Sequence, residues 1–138
     1  LVGYGRVGRR IGEALTASGI SFVVAEENRE TVEKLRDRGI PAVSGDASDP
    51  NVLIQAHIQR ARMLVIATPD TLDVRRMIEI ARTVNPRIET VVRTHSEEEA
   101  ALLEKEQAGK VFLGEHELAR SMIQHVLERY AGATERHH

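Results

Sequence analysis

Alternating strand and helix signals predict an α/β fold, a doubly wound parallel sheet of six strands. It is built as a single domain over residues 1–131, with 132–138 left as a disordered tail or appended remnant. Three observations carry that expectation. Apolar, β-branched runs such as "ISFVVA", "RMLVIAT" and "RIETVVRT" alternate with segments of helical periodicity along the chain. A helix after every strand makes each connection a crossover, and crossovers join parallel strands. A chain of 138 residues suits one hydrophobic core, which must be aliphatic because aromatics make up only 3% and Trp is absent.

The elements follow in order. "LVG" ends a first strand. A strand usually takes about five residues, so part of it is expected to be missing or to lie in sequence not given. A helix from Arg6 to Ser18 then presents Val7, Ile11, Ala14 and Leu15 on one face, with Gly8 and Gly12 on a flank that allows close approach to the sheet. "ISFVVA" is the continuous apolar run of a strand buried on both faces. "NRETVEKLRDRG" is a helix burying Val32 and Leu35. "IPAVSG" is a short strand, and Pro41 belongs at an edge or at its first residue. "DPNVLIQAHI" is a short helix with Asp49 as N-cap and Pro50 in its first turn. After the strand "RMLVIAT", the helix "DTLDVRRMIEIARTVN" buries Val74, Met77, Ile78 and Ala81. After "RIETVVRT", Ser96 caps a helix whose Glu97, Glu98 and Glu99 complement the helix dipole. "KVFL" is the sixth strand, and "EHELARSMIQHVLERYA" is the last helix. That helix carries Leu118, Ala119, Met122, Ile123, Val126, Leu127 and Tyr130, more apolar surface than one sheet contact requires. Either it meets a partner subunit or it sinks deeper into the core.

Composition removes several function classes. A net charge of −2 supplies no general basic field for nucleic acid. The absence of Cys excludes disulfides, thiolate metal sites and a cysteine nucleophile. No apolar run approaches the ~20 residues of a membrane helix. His57, His95, His116 and His125 have neither metal spacing nor a catalytic grouping, so no residue is assigned as catalytic or metal-ligating.

One constellation points to a nucleotide. Gly3-Tyr4-Gly5-Arg6-Val7-Gly8 is a G-x-G-x-x-G loop between apolar strand residues and an amphipathic helix. Its glycines serve the tight turn, the approach of phosphate to backbone, and helix–sheet packing. The helix N-terminus adds free N–H groups and a positive dipole end. Arg6 either bonds phosphate or is a solvated side chain. Glu26, followed by Glu27, ends the second strand about 20 residues on, where a carboxylate accepts from ribose hydroxyls and disfavours a 2′-phosphate. Asp46, in "SGDASDP", either accepts from an adenine amino group or bonds its own turn. Thr68 and Asp70, in "IATPD", reach the crevice, or Asp70 caps the following helix. Arg93, in "VVRTH", ends a buried strand, where a guanidinium is costly without an anion or an acidic partner.

The succession "GYGRVG", "VVAEEN", "GDAS", "VIATPD", "VVRTH" resembles the potassium-transport nucleotide-binding domains, the Rossmann half of the regulators of potassium conductance, along nearly the whole chain. "LGEHELARSMIQHVL" is similar to the Kef and YbaL branch, the cytosolic tails of bacterial cation:proton antiporters. The resemblance implies a Rossmann-like regulatory domain that is not an enzyme. It implies binding of AMP, ADP or NAD(H), with ATP as a further candidate, and gating of an inner-membrane antiporter in the same chain from the cytoplasmic side. It implies a homodimer through the nucleotide-binding domain. By the same resemblance the glycines and Arg6 meet phosphate, Glu26 the ribose, Asp46 and Ala47 the adenine, and Thr68 and Arg93 the inner crevice. Two other readings remain open: the nucleotide-binding half of an NAD-dependent oxidoreductase, and a soluble regulatory subunit of a potassium-uptake system.

Overall fold

The computed structural model describes residues 1–68 and 73–136, and side chains up to residue 131. Among the described residues five strands alternate with helices. In chain order these are α1 (Arg6–Ala17), β1 (Val24–Glu26), α2 (Arg29–Asp37), β2 (Ala42–Ser44), α3 (Pro50–Gln55), a 3-10 turn (Ile58–Arg60), β3 (Met63–Ile66), α4 (Val74–Val84), β4 (Glu89–Thr94), α5 (Glu97–Lys105), β5 (Lys110–Leu113) and α6 (Gly114–Arg136). All pairings are parallel. β1 pairs with β2, and β3-β4-β5 form a second sheet.

The expected six-stranded sheet is therefore corrected to five strands in two small sheets. The position of the first strand is held by Val2, which bridges Ala25 on one side and Ile66 on the other. Among the described residues the pairing at Val2 amounts to these two bridges and not to a ladder. The bridges still put the two sheets side by side, in the order β2, β1, Val2, β3, β4, β5. That order is doubly wound, with Val2 where the direction of winding reverses.

Two further expectations change. Of "ISFVVA", only Val24 and Ala25 enter a strand, and Ile20 is 53% exposed. The partner strand limits it: β2 starts only after Pro41, which has no N–H to give a ladder. On α1 the stripe Val7, Ile11 and Leu15 is half-buried and Ala14 is exposed, leaving Gly8 and Gly12 as its buried residues.

Winding in two directions gives two cores. Leu64, Ile66 and Val92 face Leu53, Val74, Met77, Ile78 and Leu103 of α3, α4 and α5 in the larger. Val24 and Ala42 face Val32 and Leu35 of α2 in the smaller, with Tyr4 and Phe22 packed beside them. The opposite face of β3-β4-β5 carries Met63, Val65, Val91 and Phe112, which register places on one side with Glu89, Arg93 and Lys110. Met63, Glu89 and Lys110 are exposed, and Val65, Val91, Arg93 and Phe112 are half-buried.

The last helix does not sink into the core. Its Leu118, Met122, Ile123, Val126, Leu127 and Tyr130 are 49–72% exposed. Among the described residues, no helix is long and apolar enough to cross a membrane.

Candidate functional site

In open α/β sheets ligands sit outside the carboxyl ends of the strands, where the order reverses. The sequence-predicted residues collect at that edge. Gly3 N–H donates to Ala25 O at 3.0 Å, which fixes the start of the glycine loop against the end of β1. Gly3 has φ +88°, and a Cβ there would lie 2.8 Å from Thr68 Cβ, so Thr68 packs directly on the turn. At Gly8 a Cβ would lie 2.1 Å from Gly3 O, so α1 can rise from the loop only with hydrogen at this position. Gly5 is the opposite case. It is the N-cap of α1, no side chain bonds the helix end, and a Cβ there would meet nothing within 4 Å. Open space before free helix N–H groups is what a phosphate requires. Arg6 is exposed and Val7 half-buried beside it.

Glu26 ties the loop to the sheet. Tyr4 N–H donates to Glu26 Oε2 at 2.7 Å, and Asn28 N–H donates to Oε1 at 3.1 Å. Each carboxylate oxygen has a second lone pair for a ribose hydroxyl. Glu27 is exposed and makes neither contact.

Asp46 builds an Asx turn. Its Oδ1 accepts from Ser48 N–H and Ser48 Oγ–H, both at 2.8 Å. These bonds from Ser48 hold its carboxyl below the usual carboxylate range; desolvation opposes them, and the positive charge of Arg76 adds the least of the contributions, in the lowering direction. Ala47 is buried in the larger core. Arg93 is half-buried and donates through Nη1 to Ala67 O at 3.3 Å, a protein acceptor rather than an anion. His95 is exposed at the same edge. Asp70 lies outside the described residues.

The edge thus brings together the glycine loop, Glu26, Asp46, Thr68 and Arg93. Sequence reasoning missed Arg76, whose Nε–H donates to Ser48 O at 3.1 Å across 28 positions. No local pattern signals that contact. A cavity of about 430 Å³, lined by Leu1, Phe22, Val23, His57 and Met63 among others, opens at the strand-start edge, away from this constellation. Among the described residues no cluster of His, Cys, Asp or Glu can hold a metal ion.

The chain belongs to the TrkA-N domain family, whose model matches residues 1–114. It is 40% identical over 124 residues to YbaL of Escherichia coli (strain K12), described as a cation/proton antiporter; the match covers 90% of this chain and 22% of YbaL. It is 28% identical over 127 residues to KefB of Alkalimonas amylolytica, described as a K⁺ efflux antiporter, covering 92% of this chain and 19% of that one. The chain therefore spans about a fifth of the length of these relatives. Among solved structures, the TrkA-N domain of the inner membrane protein YbaL from E. coli matches with a TM-score of 0.84 at 40% identity, over 89% of this chain and 91% of that one. A Shewanella denitrificans Kef C-terminal domain in AMP-bound form matches with a TM-score of 0.76 at 22% identity, over 99% and 89%. The GsuK channel bound to NAD matches with a TM-score of 0.67 at 21% identity, over 80% and 20%. The last two are likenesses of fold alone.

Proposed function

We propose that this domain senses an adenine nucleotide (AMP, ADP or NAD(H), with ATP as a further candidate) and that occupancy regulates a cation:proton antiporter in the same full-length chain, from the cytoplasmic side of the inner membrane. The observation that carries the reading is the pairing of Gly5 with Glu26. Open space before the α1 N-terminus suits a phosphate. Glu26, bonded to the same loop, offers remaining lone pairs to a ribose. AMP and NAD share the adenosine half that Glu26 and Asp46 face, and the Kef and GsuK structures hold AMP and NAD respectively.

In this reading the domain acts as a homodimer. Two incompletely covered surfaces support it, the apolar stripe on α6 and the sheet face on which Met63, Val65, Val91 and Phe112 stand among Glu89, Arg93 and Lys110. Laying α6 of each copy on that face of the other gives a closed two-fold arrangement. Nucleotide binding then regulates by favouring one dimer arrangement over another. A coupling of ~1–3 kcal/mol is typical, and transport state changes nucleotide affinity by the same factor.

Titration calorimetry of the domain with AMP, ADP, ATP, NAD and NADH tests the reading. Saturable binding of at least one is expected. No heat from any of them at millimolar concentration overturns it.

A further inference from the structure

The turn that presents Asp46 is held by a residue from the other half of the fold. Asp46 and Ser48 close the turn on themselves through two bonds to Oδ1, and Asp49 N–H donates to Asp46 O at 2.9 Å. Those contacts fix the turn internally but do not fix its position against the sheet edge. At its start, Gly45 N–H donates to Glu26 O at 3.1 Å and ties the turn to the end of β1. Beyond Gly45 two further supports act. Ala47 is buried in the larger core. Arg76, in the first turns of α4, donates from Nε to Ser48 O. α4 follows the segment that leaves β3, whose end packs Thr68 against Gly3. Arg76 therefore joins α4 to the turn that follows β2.

We propose that Arg76 is a positioning residue for base recognition: it clamps the 45–49 turn so that the Asp46 carboxylate stands where an adenine amino group donates to it. This rests on the nucleotide-sensing reading above and names a residue that sets its base specificity. An Asp in an exposed turn discriminates between bases only if its oxygens are fixed. A carboxylate free to swing tolerates a base that presents a carbonyl in place of an amino group. Arg76 itself need not touch the ligand.

The test compares AMP with inosine monophosphate, which carries a carbonyl where AMP has the 6-amino group. The full 138-residue chain and its Arg76→Met and Arg76→Gln variants are titrated with both. The parent is expected to prefer AMP by tenfold or more. Arg76→Met is expected to cut that preference to threefold or less, chiefly by weakening AMP. Arg76→Gln keeps an N–H donor for Ser48 O without the charge and is expected to retain more of the preference. Equal loss of both ligands in Arg76→Met, or an unchanged preference in folded Arg76→Met, overturns the role of Arg76 and leaves the sensing reading intact. Failure of the parent to bind AMP overturns both. If Arg76→Met does not fold, Arg76→Gln decides alone: a preference equal to that of the parent supports the hydrogen-bond clamp, and one below threefold with normal binding of inosine monophosphate overturns it in favour of the charge acting directly.

Discussion

Two glycines three positions apart in one loop do different work. A Cβ at Gly8 would meet Gly3 O at 2.1 Å, whereas one at Gly5 meets nothing within 4 Å. Gly8→Ala must move the α1 backbone off the turn, an overpacking that costs ~1–3 kcal/mol or more. It is expected to lower the chemical denaturation midpoint and ligand affinity together. Gly5→Ala is expected to leave the midpoint within ~0.5 kcal/mol and still to weaken nucleotide binding, because the methyl group occupies the phosphate's space. Unchanged affinity in Gly5→Ala would remove the phosphate from this loop. At this scale the sequence is most informative where a residue acts on near neighbours. The glycine spacing and the acidic end of β1 were legible because backbone geometry dictates those residue types. The Asx turn of Asp46 was one of two legible readings, and it leaves the second carboxylate oxygen for a base. Arg76 was not legible, because its partner is set by how α4 packs on the 45–49 turn.

Helix starts repeat the same lesson at the level of elements. Asn28, Asp49 and Ser96 accept from the backbone N–H groups of Thr31, Asn51 and Glu99 and cap α2, α3 and α5. The caps at Asp49 and Ser96 were readable from residue type beside a following apolar pattern. Ser96→Ala is expected to cost ~1 kcal/mol by thermal or chemical unfolding, with nucleotide affinity preserved. A change under ~0.3 kcal/mol would mean that Glu97, Glu98 and Glu99, which lie in the first turn, already stabilise that end without the cap. Strand lengths were less legible than helix starts. An apolar run states what a segment can bury, but a ladder exists only where a neighbour supplies facing donors and acceptors. Val2 has such a neighbour on each side and makes one bridge to each. The run Ile20–Val23 precedes the first residue that β2 pairs.

For the whole molecule, the open question in the sequence was what the surplus apolar surface of the last helix meets. The described residues leave it uncovered. At 100° per residue, Leu118, Met122, Val126, Tyr130, Ile123 and Leu127 sweep an arc of about 180°, wider than the stripe of a helix resting on one surface. All six remain exposed, while the sheet face bearing Met63, Val65, Val91 and Phe112 has no helix of the two described cores over it. Covering half of each α6 side chain recovers about 1 kcal/mol apiece. A two-fold pair thus gains ~12 kcal/mol from the helices, and the covered sheet faces add to it. Association costs ~4–15 kcal/mol, so the balance favours a dimer when both surfaces are used together. The domain is expected to run as a dimer at micromolar concentration by size exclusion with light scattering. Ile123→Glu combined with Leu127→Glu is expected to give a monomer with unchanged far-ultraviolet circular dichroism, because neither side chain contributes to the intrachain core. Met63→Glu is expected to do the same from the receiving face, and its dimer loss separates pairing through that face from pairing of two α6 helices with each other. A parent that stays monomeric, or a double variant that stays dimeric, would mean that the surplus surface of α6 is meant for another part of the longer protein and that regulation does not pass through this pair.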